Sequence, residues 1–296
     1  MAKKAAANPS KNTSENAFVT IIIGLKQLKD NPVLFIPGIA YYSVSVFLAI
    51  LFGVFAADFS NYFGARAFSI FYGLFLILII FISSFTTAGS IGMAKEVIES
   101  RSANYKQFFS YGKKYTLKLV WAAVFISLIR LVSAIFWKPV LNIIGDSEYG
   151  ADYVINALNN DPALLAPMFD ALAAPVLAAV LLSSAYLILV SFMFYFVSYI
   201  IVVDDLGVFK SYQKSFKLLR MRPIRVLSFV FLVTVIQLLI TFIGIFIITA
   251  LSYIGFSFYF GFAVHLILAF FLTAAMNVWV TRFYMILSKK ECFPID

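Results

Sequence analysis

The chain reads as an all-α membrane protein: six transmembrane helices in three hairpins, each hairpin preceded by a cytoplasmic amphipathic helix in the interface. Three features carry that reading. Hydrophobic residues are 62% of the 296 and charged residues 12%, about half the charged share of a soluble domain. The apolar residues form unbroken runs long enough for a hydrocarbon core of about 30 Å, which takes about 20 helical residues. Of the 23 Lys and Arg, all but Arg66, Arg130 and Lys138 fall on one side of those runs.

The runs lie near Val33–Ala57, Phe68–Met93, Leu119–Trp137, Ala173–Val203, Val226–Leu251 and Gly255–Leu287. Only helices and closed barrels satisfy their backbone in lipid, and barrel strands would alternate in polarity. These runs do not alternate, so they are helices. The basic residues cluster before span one, between spans two and three, between spans four and five, and after span six. The opposite loops hold Arg66 and Lys138 with Asp58, Asp146, Glu148, Asp152, Asp161 and Asp170. The positive-inside rule then sets both termini in the cytoplasm of a multi-pass cell-membrane protein. A net charge of +9 so placed points to anionic lipid headgroups, not nucleic acid.

Residues 1–12 are rich in Lys, Ala, Asn and Ser and read as a disordered cytoplasmic tail. Residues 13–287 form one membrane domain with units at about 13–93, 102–203 and 205–287, an outer loop at 138–172, and a cytoplasmic tail at 288–296. The repeat rests on an ungapped match. Gly24-Leu25-Lys26-Gln27-Leu28-Lys29-Asp30-Asn31-Pro32 lies over Ser215-Phe216-Lys217-Leu218-Leu219-Arg220-Met221-Arg222-Pro223. The middle unit, Phe109 to Thr116, fits the same frame without the proline. Polar residues mark the starts of the interfacial helices: Thr13 or Ser14, Ser102 or Asn104, and Asp204 or Asp205. In the third helix Phe209, Tyr212, Phe216 and Leu219 share a face against Lys210, Lys214 and Lys217. Such a helix either braces the hairpins from below or lies among headgroups. In the outer loop, Asn156–Pro162 reads as a helix and turn and Ala163–Leu172 as a second short amphipathic piece.

The junction Leu28 to Pro37, the Gly-rich end of span two from Thr86 to Gly92, and the Val202–Val208 segment leading to Ser211 and Ser215 resemble a family pattern. They are similar to uncharacterised prokaryotic, archaeal-type six-span proteins related to the membrane domain attached to some glycerophosphodiester phosphodiesterases. The resemblance runs over about residues 15–287. It implies an architecture and not a reaction, since the chain has no room for the soluble phosphodiesterase barrel.

Arg130 is the sharpest single residue. It lies roughly 16 Å along span three at 1.5 Å per residue, where a charge costs at least about 2.5 kcal/mol without a partner. No Asp or Glu occurs within a span, so its partners would be Asp58, Asp170, a lipid phosphate or an anionic substrate; otherwise it snorkels. Gln237, His265, Ser43 with Ser45, and Ser184 with Ser183 fall at the same depth. Together they form a candidate polar layer or make ordinary interhelical hydrogen bonds. Candidate anionic-lipid contacts are Lys113, Lys114, Lys214, Lys217, Arg220 and Arg222.

Signatures of catalysis are lacking. One histidine excludes paired-His metal sites, and nothing orients it as a base for a serine. The single Cys292 excludes a disulfide framework and Cys-based metal sites; palmitoylation there is one option. No catalytic, cofactor-binding or metal site is expected. The leading function is a non-enzymatic accessory, lipid-interacting or partner-binding module, its partner being an unidentified membrane or cytoplasmic protein. The alternative is a transporter-like protein that holds an anionic or amphiphilic small molecule around Arg130.

Overall fold

The structure, a computed structural model, describes residues 16–145, 166–253, 258–290 and 292. Expectations for the tail at 1–12, the Asn156–Pro162 piece and the side chains of Asp58 and Arg66 lie outside the described residues. In chain order the helices are α1 (Ala17–Asp30), α2 (Ile36–Ser100), α3 (Tyr105–Leu131), α4 (Lys138–Gly145), α5 (Ala166–Met193), α6 (Val197–Asp204), α7 (Val208–Met221), α8 (Pro223–Tyr253) and α9 (Phe258–Leu287). Six helices are long and apolar enough to cross a membrane, at Pro32–Val54, Ala67–Ser100, Tyr105–Ile143, Asp170–Asp204, Pro223–Leu251 and Phe260–Leu287. The described chain is a helical, multi-pass membrane protein. It divides into two compact units, residues 123–195 and the remainder.

In the larger unit, Asn16 caps α1 by accepting the Val19 N–H at 2.9 Å, so the helix begins later than Thr13 or Ser14 would start it. Pro32 then opens a 3-10 turn, Pro32–Phe35, that leads into α2. The two spans of α2 meet at Gly64, whose φ of 77° and ψ of 169° only glycine adopts freely. The legs fold back on one another there, with the Phe52 ring stacked 4.5 Å from Phe75 and 5.7 Å from Phe71. Asn104 starts α3 with a reciprocal cap: its side chain accepts the Lys106 N–H at 3.1 Å, and Gln107 accepts the Asn104 N–H at 2.7 Å. No proline follows, so the middle interfacial segment runs without a break into its span, as one α-helix to Leu131.

Aligned with Pro32 over Pro223, α1 and α7 begin and end together, and each has 14 residues. They bury matching positions: Thr20, Ile21, Gly24 and Gln27 in one, Ser211, Tyr212, Ser215 and Leu218 in the other. In α3, Phe108, Gly112 and Tyr115 recur at the same spacing as Thr20, Gly24 and Gln27. The small residue in this frame permits close approach. A Cβ on Gly24 would lie 2.4 Å from the Trp279 ring of α9, and one on Gly112 would lie 2.6 Å from Phe85 of α2. Thus α3 folds back on the end of the span before it and α7 on α6, while α1 packs on α9. The pattern extends to a polar contact. Tyr111 donates to Glu96 at 2.6 Å, and Lys214, its counterpart in α7, pairs with Asp204.

The best-buried residues gather at the basic ends of these spans: Ile91, Met93 and Ile98 of α2, Ile200 and Ile201 of α6, Val226 and Phe229 of α8, and Val278 and Phe283 of α9. Phe229 and Phe283 stack face to face at 3.8 Å. Farther along the spans, large side chains such as Ile50, Ile77 and Phe242 face outward. Exposure of that kind costs nothing where the solvent is hydrocarbon.

The smaller unit, 123–195, holds the end of α3, a 3-10 helix at Val132–Trp137, α4 and α5. The change from α to 3-10 geometry loosens several carbonyls, and an unpaired carbonyl in lipid costs several kcal/mol. Hydroxyls meet them. Tyr186 donates to the Ile129 oxygen at 2.8 Å and Ser133 to the Arg130 oxygen at 2.7 Å. Val140 of α4 is buried with Leu172 and Ala179 of α5. The outer loop expected at 138–172 is therefore helical at both edges. The expected short piece at Ala163–Leu172 is, from Ala166, the first turns of α5, which passes through Pro175.

Candidate functional site

The basic end of the larger unit carries two arrangements, one facing outward and one locked inward. The outward one is α7. An amphipathic helix against a protein core ordinarily buries its large apolar residues; α7 buries Tyr212 and Leu218 but turns its two phenylalanines outward and sets two serines inward. Ser211 and Ser215 are 0% and 1% exposed, while Phe209 and Phe216 are 69% and 45% exposed. The serines permit tight packing, and Ser211 returns its hydroxyl to the Gly207 carbonyl at 2.9 Å. Lys210 and Lys217, each next in the chain to an outward phenylalanine, and Arg220 one turn after Phe216 are all exposed. On α1, Phe18, Ile22 and Leu25 are likewise outward, beside Lys26 and Lys29.

The inward arrangement centres on Asp204, with the more exposed Asp205 beside it, where sequence reasoning expected a helix N-cap. Instead Asp204 ends α6, Asp205 follows it in a left-handed conformation (φ 52°, ψ 36°), and α7 starts after Gly207 without a side-chain cap. The carboxylates are occupied elsewhere. Lys214, Lys290 and the Tyr284 hydroxyl all reach Asp204, and Lys290 also donates to the Val203 carbonyl at 3.0 Å. Lys114 and Lys118 each lie 2.8 Å from Asp205. Those two ammonium groups pull the Asp205 carboxyl down to about 2. The cluster joins α3, α6, α7, α9 and the residues after it.

This geometry divides the candidate lipid contacts. Lys114 and Lys214 are engaged by Asp205 and Asp204. Lys113, Lys217 and Arg220 are exposed and Arg222 is half-buried, all four without an ion-pair partner among the described residues.

A family model described as a domain of unknown function, DUF7847, matches residues 18–287. The chain belongs to this family. The match takes in nearly all of α1 and ends with α9, so every span and the α7 surface lie within the DUF7847 domain. No curated protein and no solved structure matches the chain.

The candidate mid-membrane residues of the DUF7847 domain fall in both units: Ser43, Gln237 and His265 in the larger, Arg130 and Ser184 in the smaller. Ser43, Ser184 and Gln237 are exposed on their helices. Arg130 is exposed too, and its guanidinium donates to Ser191 of α5 at 3.0 Å in place of a carboxylate. Ser183, beside Ser184, is the buried serine, donating to the Ser133 carbonyl at 3.4 Å. His265 is half-buried against α8, where a Cβ on Gly244 would meet its Nδ1 at 2.3 Å. Cys292 is buried.

Proposed function

We propose that this protein is a non-enzymatic module of the cell membrane that engages anionic headgroups of the cytoplasmic leaflet through α7 and the neighbouring basic residues. The outward phenylalanines of α7, interleaved with Lys and Arg, support this reading: aromatic rings enter the acyl boundary while the cations meet phosphates. In the proposed topology the basic end faces the cytoplasm with both termini, as the positive-inside rule requires. Kinship with the membrane domain attached to glycerophosphodiester phosphodiesterases belongs to the same proposal, on the motifs around Leu28–Pro37 and Val202–Val208, and brings architecture without hydrolase chemistry.

The test is lipid selectivity in nanodiscs. Phosphatidylglycerol should be retained over phosphatidylcholine in native mass spectra. Replacing Lys113, Lys217 and Arg220 together by Gln should cut that preference by about two orders of magnitude, at about 1 kcal/mol per cation. An unchanged preference would remove the proposal. The alternative, a carrier centred on Arg130, has less support because the guanidinium is bonded to Ser191 and faces outward. Arg130→Leu should leave the bound lipids unchanged and be neutral or stabilising, since an exposed charge in the hydrocarbon costs at least about 2.5 kcal/mol. Loss of a co-purifying small molecule would favour the carrier instead.

A further inference from the structure

A cavity of about 510 Å³ opens at the basic end of the larger unit, among the C-terminal turns of α2, the first turns of α3, the end of α6 and Lys290. Three ammonium groups line it (Lys95, Lys114 and Lys290), and so do three carboxylates, those of Glu96, Asp204 and Asp205. Most of these charges are already matched. Lys114 pairs with Asp205 at 2.8 Å, and Lys290 pairs with Asp204. Two remain. Lys95 has no partner among the described residues. Among the described residues the Glu96 carboxylate receives only the neutral Tyr111 hydroxyl, at 2.6 Å, which leaves its charge uncompensated there. Both side chains are half-buried, where an unmatched charge is less screened by water than on an open surface.

One cation and one anion left over in a single polar cavity define the complement of a zwitterion. Gln107 and Ser110 add neutral hydrogen-bonding groups to the wall. We propose that this cavity binds a phosphoethanolamine-type group, its phosphate on Lys95 and its primary ammonium on Glu96. A primary ammonium can donate hydrogen bonds to a carboxylate whereas a quaternary one cannot, so choline-bearing analogues should be rejected. The group could arrive on a phospholipid or as a free small molecule, and the chemistry at the cavity is the same. The site is separate from the outward surface of α7, and Lys113, Lys217 and Arg220 do not line it.

The experiment uses the full chain in nanodiscs of matched acyl composition, with phosphatidylethanolamine, phosphatidylcholine or phosphatidylglycerol as probe, read by native mass spectrometry. Soluble phosphoethanolamine and inorganic phosphate are titrated separately by calorimetry. Lys95→Met and Glu96→Gln remove one charge each, and the glutamine can still accept the Tyr111 hydroxyl. Lys113→Met is the control outside the cavity. Preferential retention of phosphatidylethanolamine, weakened at least about tenfold by both Lys95→Met and Glu96→Gln but not by Lys113→Met, is the expected result. Tight binding of soluble phosphoethanolamine would assign the free molecule as the source, and binding only of the lipid would assign the headgroup; either supports the site. Equal retention of choline and ethanolamine lipids, or an effect of Lys95→Met without one of Glu96→Gln, would overturn it. So would inorganic phosphate binding as tightly as phosphoethanolamine.

Discussion

Replacing Asp204 by alanine takes one carboxylate away from three donors at once. Its side chain is 8% exposed, and Lys214, Lys290 and Tyr284 all converge on it. Hydrogen bonds to a charged group are worth about 1.5–3 kcal/mol each, so a naive total approaches roughly 6 kcal/mol. Two of the donors soften that loss. Lys214 and Lys290 are 34% and 32% exposed and regain water when the carboxylate is gone. What remains is mainly the stranded Tyr284 hydroxyl and the loss of the tie between α6, α7 and the chain after α9. A net cost of about 3 kcal/mol follows, near the lower edge for breaking a buried pair. At about 2.1 cal/mol/K of unfolding entropy per residue, a chain of 296 residues then falls by roughly 5 °C in apparent melting temperature, measured by intrinsic fluorescence in detergent. Asp205→Ala is the internal comparison: its carboxylate is 47% exposed with two surface lysines, and its fall should be within about 2 °C. Equal losses for the two variants would refute the argument that burial decides the weight of the cluster.

Three further outcomes follow from the same geometry. The Asp205 carboxyl titrates at about 2 in the fold against 3.8 without its partners, so its contribution is complete above about pH 4 and is lost as pH falls from there towards 2. The stability difference between wild type and Asp205→Asn, followed by thermal melts, should be flat from pH 8 to about 4 and shrink only below that. Gly24→Ala should cost about 1–3 kcal/mol by overpacking, because its Cβ would lie 2.4 Å from the fully buried Trp279 ring. Gly53→Ala, with nothing within 4 Å, should be neutral or stabilising in the same melts.

The spans were legible because hydrocarbon imposes length and composition on them, and both are read directly from a run of residues. The proline junctions were legible for a similar reason, since Pro32 and Pro223 act locally on their own backbone. Orientation about the helix axis was not. Depth follows from counting 1.5 Å per residue, which grouped Arg130, Ser43, Ser184, Gln237 and His265. A span that is apolar all round, however, carries no stripe to say which side faces a neighbour. Ser183 turned inward and Ser184 outward on that account. On α7 a stripe existed, but the structure splits it: Phe209 and Phe216 face outward while Tyr212 is buried and donates to the Ala122 carbonyl, because the rule that apolar faces point to the core holds in water and not among lipids. Asp204 and Asp205 resembled a helix start because capping is a local signal. Lys114, Lys118 and Lys290 reach them from distant parts of the chain, which no local pattern records.

The serine-inward, phenylalanine-outward setting of α7 can be measured directly. With Cys292→Ser, single cysteines at Phe209, Phe216, Lys210 and Lys217 in turn take a spin label in reconstituted bilayers. Labels at Phe209 and Phe216 should relax with dissolved oxygen and be shielded from a water-soluble nickel chelate, while those at Lys210 and Lys217 should do the opposite. Chelate access at Phe216 equal to that at Lys217 would place α7 in water and contradict the account.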